Sequence, residues 1–206
     1  MELWVTIIGS LITGAATLGS VWLARHYVKK KQNPVVDDTA QSANVYTALK
    51  YTLGEMGADR AYVLEFHNGG HYYSGRGQQK YSCTHETVSE GISHECDISQ
   101  EHRVSNHHAY ISELVEYEKF AYIDIRELED HAFLHLLKKS GVKSIYNVPI
   151  KTLNGKIIGI LGVDFVKNPA TQNALGFEVS SGVAAFNEES FSFMKKQARI
   201  MAGYLV

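Results

Sequence analysis

The chain has 206 residues, 45% of them apolar and 20% charged, with a net charge of −2. These values exclude a disordered or collagen-like chain, a protein threaded many times through a membrane, and a nucleic-acid binder working through bulk positive charge. Two cysteines in the whole chain exclude a disulfide scaffold and a four-cysteine zinc site.

The first element is apolar. No residue from Leu3 to Ala24 is charged, and a helix over that run, at about 1.5 Å per residue, reaches roughly 33 Å, enough to cross the hydrocarbon core of a bilayer. Trp4 and Trp22 bracket it, where indole rings settle between lipid and headgroups. Arg25, Lys29, Lys30 and Lys31 follow the run and nothing basic precedes it. A cleaved signal peptide has the reverse order, so the pattern predicts one retained span with the globular part in the cytoplasm. Residues 1–31 carry four basic and one acidic side chain, a balance that also suits anionic headgroups. Gly9, Ser10, Gly14, Ala15, Ala16, Gly19 and Ser20 fill the middle of the run. Small residues four apart let helix backbones approach closely, which predicts self-association within the bilayer.

Residues 1–31 are thus read as a span with a basic stem, 32–41 as a linker containing Pro34, and 42–206 as a globular domain. Thr39 or Ser42 is expected to cap a helix to Met56, with Val45, Leu49, Thr52, Leu53 and Met56 on one face and Gly57 as its stop. Arg60 to Phe66 reads as a strand and His67 to Gly77 as a loop with four glycines. Gln79–Thr84 is a second strand, and the polar run from Thr84 to Arg103 has no assigned element. Asn106–Lys119 reads as a helix and Ala121–Ile125 as a short strand. Glu127–Lys139 is a helix, acidic at its start and basic at its end, stopped by Gly141. Ser144–Ile150 and Lys156–Val166 form a hairpin around Leu153, Asn154 and Gly155. Residues 176–185 form a Gly/Ser-rich connector, and Asn187 caps a last helix presenting Phe191, Met194, Ala198, Met201 and Leu205. The fold class is therefore α+β: a single N-terminal transmembrane helix, then an antiparallel sheet with flanking helices and a C-terminal helix. This order of elements resembles GAF- and PAS-type sensor domains in topology, which implies a binding module.

No catalytic constellation emerges. His67 and His71, and His131 and His135, are four apart; Cys83 with His85, and His94 with Cys96, are two apart. None of these spacings matches a zinc framework. Gly75-Arg76-Gly77 lacks the Gly-Lys-Ser/Thr of a phosphate loop. No enzyme activity, metal, cofactor or nucleic-acid partner is expected. Asn68, His71, Tyr72 and Tyr73, on their loop, are the candidate contacts for a partner or ligand.

The run Asn68-Gly69-Gly70-His71-Tyr72-Tyr73-Ser74 resembles a segment of the holin T family of T-even bacteriophages. Tyr146-Asn147-Val148-Pro149 with the strand Ile157–Val163, and Glu189-Ser190 through Gln197-Ala198-Arg199-Ile200, resemble that family's late hairpin and terminal helix. The resemblance implies a lysis protein that oligomerises in the host inner membrane, opens lesions for endolysin, and binds an antiholin through its globular domain. It also implies a periplasmic domain, against the cytoplasmic side that the charges favour. An exported domain would allow Cys83 and Cys96 to pair. The alternative is a membrane-anchored cytoplasmic sensor module without pore activity.

Overall fold

In the computed structural model the described residues are 7, 13–25, 34–167, 178–180, 183–185 and 188–206. The chain divides into two compact units, Met1–Ala40 and Gln41–Val206.

In the first unit residues 13–25 are helical, and their side chains are exposed apart from the half-buried Gly19. The Thr17 hydroxyl donates to the carbonyl of Thr13 and the Ser20 hydroxyl to that of Thr17, each at 2.8 Å. These hydroxyls are satisfied by their own helix. Among the described residues no helix is long and apolar enough to cross a membrane, so the transmembrane part of the expected fold lacks structural support. Gly14, Ala15, Ala16, Gly19, Ser20, Trp22 and Arg25 lie on the described helix, while Trp4, Gly9, Ser10, Lys29, Lys30 and Lys31 lie outside the described residues.

The expected linker is helical from Pro34 onward: α1 spans Pro34–Met56. Proline is favourable at a helix's first position, where its missing N–H has no partner to lose. The second unit continues through β1 (Arg60–His71), β2 (Gly77–Val88), β3 (His102–Arg103), α2 (His108–Tyr117), β4 (Phe120–Tyr122), α3 (His131–Lys139), β5 (Ser144–Lys151), β6 (Ile157–Phe165), β7 (Glu178–Ser180), β8 (Val183–Ala185) and α4 (Glu188–Leu205). Six strands form one sheet in the order β3-β2-β1-β6-β5-β4, and its pairings are antiparallel. β7 and β8 pair separately.

Alternation along the strands sends side chains to two cores. Ala61, Val63, Tyr146, Val148, Ile150, Leu161 and Val163 join Val45, Leu49 and Met56 of α1 and Met194, Ala198 and Met201 of α4. Leu64, Tyr81, Ile145 and Ile160 join Tyr110 and Leu114 of α2 and Phe133 and Leu137 of α3 on the opposite face. Both faces are covered, which explains why β5 is buried over almost its whole length.

Three expectations change. The loop from His67 to Gly77 is mostly strand: Asn68 pairs with Gln79 and His71 with Gly77, leaving a short tip. The unassigned run from Thr84 extends β2 to Val88, then crosses back as an irregular segment to β3. The helix expected from Glu127 begins at His131, because the Asp130 carboxylate caps it by accepting from the Phe133 N–H at 3.0 Å.

Glu118, left-handed at φ 56°, ends α2 and links three elements. Its carboxylate accepts from Lys151 on β5 and Lys195 on α4. Those two hydrogen bonds hold its carboxyl down at about 2. A depressed carboxyl stabilises the fold above its unfolded pKa and loses that contribution as pH falls through the folded value. Glu118→Gln should therefore lower the thermal midpoint at neutral pH by a few degrees at most, the range for part-exposed ion pairs. The gap between variant and wild type should close between about pH 4.5 and pH 2. A gap of constant size down to pH 2 would show that the carboxylate does not link these elements.

Candidate ligand cavity

On the sheet face covered by α2 and α3 lies a cavity of about 110 Å³. Tyr62, Leu64, Tyr81, Cys83, Asn147 and Asp164 form its floor on the strands. Glu95 and Cys96 of the irregular segment, Tyr110 of α2, and Phe133 and Leu137 of α3 close it from above. An engineered apolar cavity of roughly 150 Å³ takes up benzene, so this one has room for about four or five non-hydrogen atoms.

One side of the cavity carries a relay of neutral groups. The Tyr62 hydroxyl donates to Asn147 Oδ1 at 2.9 Å, and Asn147 Nδ2 donates to the Tyr110 hydroxyl oxygen at 2.8 Å. The Tyr110 ring stacks on Phe133 with centroids 4.0 Å apart. Burial pushes the Tyr62 and Tyr110 hydroxyls up, so both remain protonated. Gly162 of β6 makes room for this relay: a Cβ there would collide with the Tyr62 ring and with Asn147 Oδ1.

The other side is charged. Arg60 is 1% exposed and Asp164 4%. Arg60 Nε donates to both Asp164 carboxylate oxygens, at 2.9 and 3.1 Å. Its terminal nitrogens donate to the carbonyls of Ser140 at 2.8 Å and Ser93 at 3.4 Å, and one lies 3.5 Å from Glu95 Oε1. The Ser140 carbonyl reaches inward because Gly141 closes α3 in the left-handed region, at φ +71°. Glu86, also buried, accepts from the backbone N–H groups of Glu95 and Cys96 at 2.8 and 3.0 Å. Burial pushes the Asp164 carboxyl up to about 7, against the pull of Arg60 and with help from Glu86 and Asp59.

A third group flanks the cavity. The Tyr81 hydroxyl and His107 Nδ1 are hydrogen-bonded at 2.5 Å. Burial pushes His107 down, so the neutral imidazole can accept the tyrosine proton. Cys83 and Cys96 both line the wall as free thiols.

The arrangement suits a small molecule with an apolar body and a polar group. Among the described residues no three His, Cys, Asp or Glu side chains gather to hold a metal ion. Cys83 and His85 form no nucleophile–base pair, since Cys83 joins the α2/α3 side while His85 Nε2 bonds Ser42 Oγ of α1 at 3.1 Å.

The residues singled out at the hairpin tip do not line this cavity. Asn68 accepts from Gln79 Nε2 at 3.2 Å, and Tyr72 lies under the Arg76 guanidinium at 4.9 Å. His71 and Tyr73 are exposed there. Sequence reasoning missed Arg60, Tyr62, Asn147 and Asp164. The available signal was polarity out of place: Asp164 interrupts an apolar strand, and Asn147 sits between Tyr146 and Val148.

No family model matches this chain, and no curated relative matches it. Solved structures do. The PixJ GAF domain of Thermosynechococcus elongatus superposes with a TM-score of 0.60 at 15% identity, over 82% of this chain and 86% of that one. GAF3 from Slr1393 of Synechocystis sp. PCC6803 gives 0.57 at 12% identity, over 80% and 92%. A domain of a putative two-component sensor histidine kinase protein from Sinorhizobium meliloti 1021 gives 0.50 at 15%, over 78% and 87%. At such identities the likeness establishes the fold: the domain has the architecture of GAF domains. The resemblance to phage holins finds no support in these comparisons. Two of its three stretches fall on packing elements, with Tyr146 and Val148 in the core of β5 and Met194 and Ala198 in that of α4.

Replacing Arg60 with Met should strand Asp164 without its buried partner and lower the unfolding free energy by about 3–5 kcal/mol. Adding Asp164→Leu should recover most of that loss in urea denaturation. A double variant no more stable than Arg60→Met alone would mean the pair is not the source of the cost.

Proposed function

We propose that the folded domain is a sensory binding module, not a catalyst, and that its ligand occupies the cavity between the sheet and α2/α3. The observation carrying this reading is a cavity with the Tyr62–Asn147–Tyr110 relay on one side and Arg60 on the other, in a GAF architecture. One similar structure, 14% identical, holds biliverdin IXa. A tetrapyrrole is several times larger than a space of about 110 Å³ admits, so the ligand here is a much smaller molecule.

The uncharged run from Leu3 to Ala24 and the basic residues after it support attachment of this module to a membrane, with the domain on the cytoplasmic side. The small residues of the run favour self-association. The lysis reading, with an antiholin as partner and the host inner membrane as its place, rests on those small residues and on the three resembling stretches. Induced expression in a bacterium separates the two readings. A tethered sensor leaves growth and membrane potential unchanged, whereas a holin collapses the potential at a defined time, and Gly14→Leu delays that collapse.

The cavity is tested with probes of about four or five non-hydrogen atoms, such as isobutanol, propionamide and isobutylamine. At least one should raise the thermal midpoint and shift the amide resonances of residues 95–99 and 142–147. Leu137→Phe, which fills the space, should weaken that binding at least tenfold while costing about 1–3 kcal/mol of stability. Equal binding to wild type and Leu137→Phe would place the ligand elsewhere, and no binding by any probe would remove this reading.

A further inference from the structure

We propose that Cys83 and Cys96 form an oxidisable dithiol, converted by a peroxide into an intramolecular disulfide that pins the roof of the cavity to β2. The backbone geometry carries this. Gln100 Nε2 donates to the carbonyl of Cys83 at 2.7 Å and to that of Cys96 at 2.6 Å, so one side-chain amide ties the two cysteines together. Their carbonyl oxygens lie within two hydrogen-bond lengths of each other. The Cys83 N–H donates to the Ser99 carbonyl at 2.8 Å, and the Ser99 N–H donates to the Cys96 carbonyl at 3.3 Å. The segment bearing Cys96 is thus already fastened beside the strand bearing Cys83. Both residues line the cavity wall, and the Cys83 thiol donates to the His85 carbonyl at 3.6 Å.

The two thiols differ in a way that assigns their roles. Cys83 is buried and Cys96 half-buried, so a solute reaches Cys96 first. The neighbouring Cys83 thiol holds the Cys96 thiol below its usual range, while the same interaction and burial push Cys83 up. Cys96 is therefore the thiol that ionises more readily and Cys83 the one that keeps its proton, an arrangement suited to attack followed by resolution.

The steps balance. The Cys96 thiolate attacks one oxygen of hydrogen peroxide; the O–O bond breaks, the sulfur becomes a sulfenic acid, and the departing hydroxide takes a proton to become water. The Cys83 sulfur then attacks the Cys96 sulfur; the S–O bond breaks, and the leaving hydroxide takes the Cys83 proton as a second water. Two thiols lose two electrons and one peroxide gains them. Glu95 and Cys96 form part of the roof, so the bond restrains the segment that covers the cavity. Any effect on ligand entry rests on the binding function proposed above; formation of the disulfide does not.

The test uses the full-length chain without ligand. Reduced protein is treated with one equivalent of hydrogen peroxide, its free thiols are titrated, and its peptides are mapped by mass spectrometry without reductant. The expected result is loss of both thiols within monomers, a cross-linked peptide pair containing Cys83 and Cys96, and full recovery with dithiothreitol. Cys83→Ser, with Cys83→Ala as a second variant of different polarity, should leave a sulfenic acid at Cys96 that dimedone traps. Cys96→Ser should leave Cys83 unreacted. Oxidation should slow proteolytic cleavage within residues 89–101 by about a hundredfold, the effect of closing a ring of this size. Cross-links between molecules, or two thiols still titrating in wild type, would overturn the proposal. A disulfide that forms while no probe binds in either redox state would uphold it and reject the ligand reading instead.

Discussion

Arg60 and Asp164 face each other across the central strand pair, in register between β1 and β6. Taking two charges out of water costs several kcal/mol each, and their attraction offsets that only where the remaining hydrogen-bonding groups also find partners. Here they do. The guanidinium spans from the sheet to the carbonyl that ends α3 and to the segment between β2 and β3. One buried side chain thereby sets the height of two independent roof elements above the sheet, and the space beneath them is the cavity. A hydrophobic pair of the same size could hold the strands, but it would offer nothing to the Ser140 and Ser93 carbonyls.

The two faces of the sheet divide the work. On one, α1 and α4 lay aliphatic and methionine side chains against Ala61, Val63, Leu161 and Val163. On the other, α2 and α3 are shorter and carry Tyr110 and Phe133, whose rings stack on each other over Asn147. Rigid rings bridged by polar groups leave a gap that aliphatic chains would have filled. Gly162 belongs to the same logic, since its missing side chain is the space that the Tyr62 ring occupies. The segment between β2 and β3 has little regular structure of its own and is held by side-chain contacts from Glu86, Gln100 and Arg60. That makes it the part of the roof most open to adjustment.

Much of this architecture was legible in the chain. The apolar spacing of Val45, Leu49, Thr52 and Met56 marks α1, Gly57 and Gly141 mark two helix ends, and Asn154-Gly155 marks the last hairpin, because periodicity and turn chemistry are local signals. The extent of β1 and β2 was not legible. His67, Asn68, Gly69 and Gly70 carry loop composition, yet cross-strand pairing with residues 77–80 draws them into the sheet. The cavity was least legible of all. It is assembled from residues as distant as Arg60 and Asp164, and their meeting depends on a strand pairing that no local pattern encodes.

The same reasoning bears on the resemblance that first pointed to a lysis protein. Tyr146-Asn147-Val148-Pro149 is one strand read from both sides: Tyr146 and Val148 serve the α1/α4 core, and Asn147 serves the cavity. Any chain that buries a strand between these two layers meets similar demands at these positions, so a short likeness there follows from packing before it follows from descent. The hairpin tip is different. Tyr73 is fully exposed and His71 is exposed, so packing does not require them, and they lie outside the cavity wall. The site that the fold builds and the hairpin tip are therefore separate parts of the domain. A function drawn from one has no bearing on the other, and the cavity has to be judged on its own geometry.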